Sequence, residues 1–209
     1  EDSVPANIEH QNHPLEIITC PPIVMLGHNE LLSKKQARSR LGLPKEAIVV
    51  YIQLGAGEID DIQSDIRLTV DSLLKNPDVY IVLGESLIGN RFDLEIPRVQ
   101  ILRDYPNSIY FRGFDATVQA GGYNSFHETR SFGLPTLFYP NMNTGMDDQL
   151  ARCKVAEEEG WGIVLESRTP AKIASSCVEL CGMKVKSSSL PIDNGADTLA
   201  LQLSEELLP

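Results

Sequence analysis

The sequence predicts an α/β fold built on a doubly wound parallel sheet. Short apolar runs alternate with helix-like segments along most of the 209 residues, which is typical of strand–helix–strand units. The runs are apolar at even and odd positions alike, as expected of strands buried on both faces. Glycines follow several runs, at the strand ends where such sheets bind ligands.

Six apolar runs are the predicted strands. They are residues 47–54, 79–83, 99–102, 116–120, 135–139 and 161–165. The first predicted helix, about 33–41, has Ser33 as its N-cap and Gly42 as its stop signal. The other predicted helices are about 62–75, 125–132, 147–159, 170–181 and 196–208.

Composition limits the classes of function. A hydrophobic content of 42% suffices for an ordinary core, and a net charge of −11 argues against a broad nucleic-acid or anionic-membrane footprint. A local phosphate site is still allowed, because backbone amides at a helix end need no net positive charge. No apolar run approaches a membrane span and no signal peptide is visible, so we expect a soluble, cytoplasmic protein. Four cysteines without a CxxC pair favour free thiols and no metal.

Glycines after the predicted strands indicate where a ligand would bind. Gly55 and Gly57 follow the first strand, Gly84 the second, and Gly121 with Gly122 the fourth. Glycine lets an anion approach the backbone closely. The LGAG stretch alone is weak evidence for a ligand site, because it lacks the third glycine of the dinucleotide fingerprint and also suits a tight turn. The sequence contains no GKS or GKT, which argues against a Walker-type phosphate loop.

The stretch AGGYNSFHE, residues 120–128, combines that glycine pair with a predicted helix start at Asn124 and Ser125. Free amides and the positive end of the helix dipole would form a seat for phosphate or pyrophosphate. Glu128 has two open interpretations. The S-x-x-E spacing fits a capping box with Ser125, whereas a carboxylate one turn beyond a phosphate could accept both hydroxyls of a ribose.

A polar loop after the fifth strand brings Asp147, Asp148 and Gln149 to a helix start. Acidic residues there are often only caps or dipole partners. An Asp-Gln pair facing the same crevice could instead bind sugar hydroxyls. A phosphate seat, a ribose carboxylate and a sugar-binding pair, in that order, indicate a nucleotide-sugar.

The segments GGYNSFHE, FGLPTLFYPN and DDQLARCKVAEEEGWG together resemble the C-terminal, donor-binding half of GT-B glycosyltransferases. The nearest groups are the UDP-glycosyltransferases and the lipid-linked N-acetylglucosaminyltransferase of peptidoglycan synthesis, and the resemblance covers about residues 48–165. By position it implies a Rossmann-like domain over 20–195 whose donor-binding residues are Gly55, Gly57, Asp104, Tyr105, Gly121, Gly122, Asn124, Ser125, Glu128, Asp148 and Gln149.

The resemblance also assigns roles within that set. Gly55 and Gly57 fall on the glycine loop that closes over donor and acceptor, and Gly122, Asn124 and Ser125 fall on the pyrophosphate turn. Glu128 falls on the ribose-binding glutamate, Asp148 and Gln149 on the sugar-binding pair, and Arg103–Tyr105 near the base-binding segment. Ala120 departs from plant-type members, which carry His there, and fits the peptidoglycan-type enzymes, which lack it.

The resemblance further implies an inverting transferase that uses a UDP-sugar as donor and needs no cofactor. Its acceptor site and catalytic base would lie in an N-terminal domain absent from this chain. Residues 1–19 would be a polar lead-in, and helix 196–209 would pack on the missing half. A start at Glu1 rather than Met fits excision from a longer protein. The chain encodes no membrane contact of its own.

Two alternatives remain open at this point. The chain could be a stand-alone subunit that needs a separate acceptor-binding partner, or a UDP-sugar hydrolase or epimerase of the same fold. A full-length sequence would separate the subunit from a truncated enzyme. A histidine or carboxylate base inside the crevice would favour the hydrolase or epimerase, and none is evident in the sequence.

Overall fold

Six parallel strands form one sheet in the computed structural model, in the order β3-β2-β1-β4-β5-β6. The structure describes residues 19–55, 60–85, 95–142, 147–185 and 194–207. The strands are β1 (Ile48–Gln53), β2 (Val79–Gly84), β3 (Val99–Leu102), β4 (Ala116–Gln119), β5 (Thr136–Phe138) and β6 (Gly162–Val164). This order, with its reversal between β1 and β4, confirms the doubly wound prediction.

Helices cover both faces of the sheet. They are α1 (Lys34–Arg40), α2 (Asp60–Leu73), α3 (Tyr123–Ser131), α4 (Gln149–Glu158), α5 (Pro170–Gly182) and α6 (Gly195–Leu207). A 3-10 helical segment, Asn107–Gly113, lies between β3 and β4. Among the described residues, none of the helices has the length and apolar character needed to cross a membrane.

The period-2 alternation of β1 divides the core in two. Val50 and Ile52 pack with α2 and α5 on one face of the sheet. Val49 and Tyr51 pack with α1 and the Asn107–Gly113 segment on the other. A third apolar cluster joins α3 and α4 to β5, around the fully buried Trp161. Both faces of the sheet are therefore covered, which explains why the strand runs are apolar throughout.

Helix starts follow the capping signals of the sequence. Ser33 caps α1, as predicted, and also forms a capping box with Gln36. Thr169 caps α5, with Pro170 in the first turn. The exception is α3, which begins at Tyr123 rather than Ser125, because Gly122 with its extended backbone takes the N-cap position.

Candidate functional site

The chain changes sides of the sheet between β1 and β4. These strands are neighbours, with Gln53 paired to Gln119 at their carboxyl ends. After β1 the chain forms α2, which packs on one face, whereas after β4 it forms α3, whose Phe126 packs on the other. Such divergence opens a crevice at the strand ends, the usual ligand site of open α/β sheets. The predicted glycines Gly55 and Gly121 lie at its two sides.

The glycines at these strand ends have different surroundings. Gly55 has a φ of +90°, in the left-handed region that favours glycine. Gly57 lies outside the described residues. A Cβ on Gly84 would lie 2.1 Å from the Tyr51 hydroxyl oxygen, so Gly84 makes room for Tyr51. Close packing within the core thus accounts for Gly84 without any anion.

The pair Gly121-Gly122 combines a packed residue with an open one. A Cβ on Gly121 would lie 2.5 Å from the Cys153 sulfur, whereas one on Gly122 would meet nothing within 4 Å. Gly122 is the N-cap of α3 and makes no side-chain cap bond. The first i to i−4 hydrogen bond of α3 runs from the Phe126 N–H to the Gly122 carbonyl oxygen at 3.0 Å. It leaves the preceding backbone amides, those of Tyr123, Asn124 and Ser125, at the open end of the helix. Amides in this position suit an anion.

The capping-box interpretation of Glu128 is wrong. Ser125 lies inside α3, so it is not the N-cap residue that such a box requires. Burial raises the pKa of Glu128, and hydrogen bonding to the nearby Ser108 hydroxyl partly offsets that rise. Asn124 and Glu128 are four residues apart and so share one face of α3.

A polar network that the sequence analysis missed lies beside Glu128. The Asn107 amide donates to the Tyr51 hydroxyl at 2.9 Å, and that hydroxyl donates to Gln53 Oε1 at 2.8 Å. Burial chiefly raises the pKa of Tyr51, and the Glu128 carboxylate adds to the rise. Alternation along β1 could have placed Tyr51 and Gln53 on one face. Asn107 belongs to a 3-10 segment that no periodic pattern predicted.

Gln119, at the end of β4, was also missed. Its side chain is 1% exposed, yet neither polar atom of its amide has a hydrogen-bond partner within the part of the chain that the structure describes. Its register partner is Gln53 on β1. Buried amides are rarely unpaired, so this position is unusual for a strand interior.

The start of α4 meets the glycine turn. The Asp148 carboxylate accepts from the Ala151 amide at 2.9 Å, which confirms its interpretation as a cap. The Gln149 side-chain oxygen accepts a hydrogen bond from the backbone N–H of Asn141 at 2.9 Å. A Cβ on Gly121 would lie 3.1 Å from Gln149 Cβ. The predicted phosphate turn and the predicted sugar-binding pair are therefore adjacent.

Two charged or titratable side chains lie between α3 and α4. His127 is buried, with its ring edge-on to Tyr123 and Phe126. The side chain of Arg152 is only 13% exposed. It donates to the Gly121 carbonyl at 2.8 Å and pairs with Asp147.

The predicted base-binding segment precedes the Asn107–Gly113 segment. The Asp104 carboxylate accepts from Arg40 at 3.0 Å and from the Tyr110 hydroxyl. Tyr105 is 58% exposed, and Arg103 bonds to Glu85 at 2.8 Å. No group of three or more His, Cys, Asp or Glu side chains suited to a metal occurs among the described residues.

Comparison with known proteins relates the chain to glycosyltransferases. No protein-family model matches it. An uncharacterized glycosyltransferase of Methanosarcina mazei is 35% identical over 113 residues, which are 53% of this chain and 29% of that protein. A UDP-N-acetylglucosamine–N-acetylmuramyl-(pentapeptide) pyrophosphoryl-undecaprenol N-acetylglucosamine transferase of Aquifex aeolicus is 25% identical over 155 residues, 71% of this chain and 44% of that enzyme.

Solved structures show the same fold. The glycotransferase of kitacinnamycin superposes with a TM-score of 0.57 at 21% identity, covering 77% of this chain and 40% of that one. The spinosyn rhamnosyltransferase SpnG, complexed with thymidine diphosphate, superposes with a TM-score of 0.54 at 21% identity, covering 78% and 42%. The chain spans less than half the length of each of these four proteins. The resemblance inferred from the sequence motifs is thus confirmed, and the chain is related to the glycosyltransferases of GT-B fold.

Proposed function

We propose that this chain is the donor-binding domain of an inverting glycosyltransferase that uses a nucleotide-sugar, with a UDP-sugar as the donor. The observation that carries the proposal is the Gly121-Gly122 turn at the switch point. Glu128 follows it on the same face of α3 as Asn124, and Gln149 lies beside Gly121. Two of the compared proteins support it. The name of the Aquifex aeolicus enzyme contains UDP-N-acetylglucosamine, and the SpnG structure is a complex with thymidine diphosphate.

Each proposed role follows from the chemistry of the residue. The open amides at the start of α3, around Asn124 and Ser125, bind the diphosphate and stabilise its charge as the leaving group departs. Glu128 accepts hydrogen bonds from the ribose diol. Asp148 and Gln149 bind the sugar hydroxyls, although Asp148 must do so while it caps α4.

The acceptor site and the catalytic base are proposed to lie in a separate N-terminal half. The matched relatives are more than twice as long as the segment they share with this chain, which leaves room for such a domain. Transfer requires the acceptor oxygen, the base and the anomeric carbon to be aligned within about 3–3.5 Å. The chain alone is therefore expected to bind donor without transferring sugar.

A thermal-shift panel of UDP-, TDP-, GDP- and CDP-sugars tests the proposal. A nucleotide at ~100 times its dissociation constant adds about 2.7 kcal/mol of stability. We expect the UDP-sugar to give the largest shift, and UDP alone to give a smaller one. Gln149→Ala should reduce only the advantage of UDP-sugar over UDP. No shift with any diphosphate nucleotide at millimolar concentration would refute donor binding.

Sugar transfer is tested separately. Turnover should be absent with the isolated chain and should appear when the N-terminal half is supplied, fused or in trans. Robust transfer by these 209 residues alone would contradict the proposed division of labour.

A further inference from the structure

We infer that Arg152 is a positioning residue that holds the Gly121-Gly122 turn in the orientation that binds the diphosphate. The inference rests on the proposed function and extends it to a side chain outside the predicted donor site. Arg152 lies on α4, whereas the turn it contacts belongs to the β4–α3 connection. A contact between elements so far apart in sequence can set the geometry of a turn that has no side chains of its own.

The contacts of Arg152 use two arms of its guanidinium. Nη1 donates to the Gly121 carbonyl at 2.8 Å, and Nη2 pairs with the Asp147 carboxylate. The guanidinium also lies 5.7 Å from the centre of the Tyr123 ring. Only 13% of the Arg152 side chain is exposed, whereas Asp147 is 36% exposed, so the ion pair remains partly open to water.

The bond to Gly121 determines the direction of the next amide. The Gly121 carbonyl and the Gly122 N–H belong to one planar, trans peptide unit and point in opposite directions. A donor fixed on the carbonyl side therefore fixes where the Gly122 amide points. Gly122 has open space around it and lacks a side chain that could restrict rotation, so this restraint has to come from elsewhere.

The second arm links the turn to the start of α4. Asp147 precedes the cap residue Asp148, and the hydrogen bond from Arg152 is the main reason that the pKa of Asp147 is lowered. Arg152 thus joins the proposed phosphate turn to the proposed sugar-binding pair. Lysine could keep the charge but would lack the planar fork that reaches both partners at once.

Arg130 provides a matched control. It also bridges the α3–α4 region, from α3 to Glu159 at 2.5 Å, and its side chain is 22% exposed. None of the described hydrogen bonds of Arg130 involves the glycine turn. A loss of stability common to Arg152 and Arg130 variants would report on packing between helices, whereas a loss of diphosphate binding specific to Arg152 would report on the turn.

The experiment compares Arg152→Gln, Arg152→Lys and Arg130→Gln with the wild-type chain. Calorimetry gives the Kd for UDP, displacement of UDP gives the Kd for uridine, and melting curves verify folding. For Arg152→Gln we expect UDP binding to weaken about tenfold or more, because the Gly122 amide is no longer held towards the diphosphate. Uridine binding should change less than twofold. Arg152→Lys should lie between Gln and wild type, and Arg130→Gln should bind UDP normally.

The outcomes separate the two proposals. If wild type binds no nucleoside diphosphate, the proposed function fails and this inference fails with it. If wild type binds UDP and the folded Arg152 variants bind it equally well, or lose uridine and UDP affinity in the same proportion, only the positioning role is refuted. Should Arg152→Gln not fold, Arg152→Lys decides by the same ratio of UDP to uridine affinity.

Discussion

Replacing Glu128 with Gln separates its proposed role in ribose binding from its role in the fold. The change keeps the shape of the side chain and its ability to bond Ser108, but removes the charge. Burial already makes ionisation of Glu128 unfavourable in the folded chain, because it raises the pKa of this group. The neutral variant should therefore be as stable as the wild type, or more stable, when no nucleotide is bound.

Nucleotide binding should change in the opposite direction. Hydrogen bonds to a charged acceptor contribute about 1.5–3 kcal/mol, so the Kd for UDP should rise at least about tenfold. At a UDP concentration that is ~100 times the wild-type Kd, the stabilisation by nucleotide should fall from about 2.7 to about 1.4 kcal/mol. For a chain of this size the Tm shift should fall from about 5–11 °C to about 3–6 °C.

The assay is a melting curve with and without UDP, supported by calorimetry. Glu179→Gln, on the exposed surface of α5, is the control for loss of a carboxylate and should leave both quantities unchanged. An unchanged Kd for UDP in Glu128→Gln would refute the ribose assignment. A large loss of stability without nucleotide would instead refute the argument that this buried charge disfavours the fold.

Three further predictions follow from the same geometry. Ribose binding needs the ionised form of Glu128, so UDP affinity should fall on acidification through the raised pKa of that group, at a higher pH than for an ordinary Glu. Glu128→Gln should abolish this pH dependence. The same pH profile in the variant and the wild type would contradict the prediction. Burial, with the Arg130 and Arg152 cations, lowers the pKa of His127 from 6.5 to about 4. Between these two pKa values the unfolded chain binds a proton that the folded chain does not. Urea melts should therefore show a free energy of unfolding that is up to about 2 kcal/mol lower at pH 5 than at pH 7.5, and this loss should shrink in His127→Gln. An equal loss in the variant and the wild type would disprove the prediction. Gly121→Ala should cost about 1–3 kcal/mol, because its Cβ would lie 2.5 Å from the Cys153 sulfur, whereas Gly122→Ala should cost less than about 1 kcal/mol; equal costs in urea melts would show that the turn relaxes freely.

Most of the architecture could be predicted from local sequence. Apolar runs on both parities identified β1 to β6, and cap signals such as Ser33 identified helix starts. These features depend on periodicity and on neighbours within one turn, so they are visible in a single sequence. The predicted start of α3 at Ser125 was wrong, because Gly122 and Ser125 both allow an N-cap and only the path of the chain decides between them.

The amino-acid sequence by itself determined the α/β class, the positions of the glycine turns and the candidate donor-binding residues around Glu128, because each depends on residue type and short spacing. Tertiary structure alone decided what those residues contact. It brought Ser108 to Glu128, Tyr51 over Gly84, and Arg152 to the Gly121 carbonyl. These partners are separated by 20 residues or more, and no local pattern encodes a pairing that arises only when β1, β4 and α4 pack at one end of the sheet.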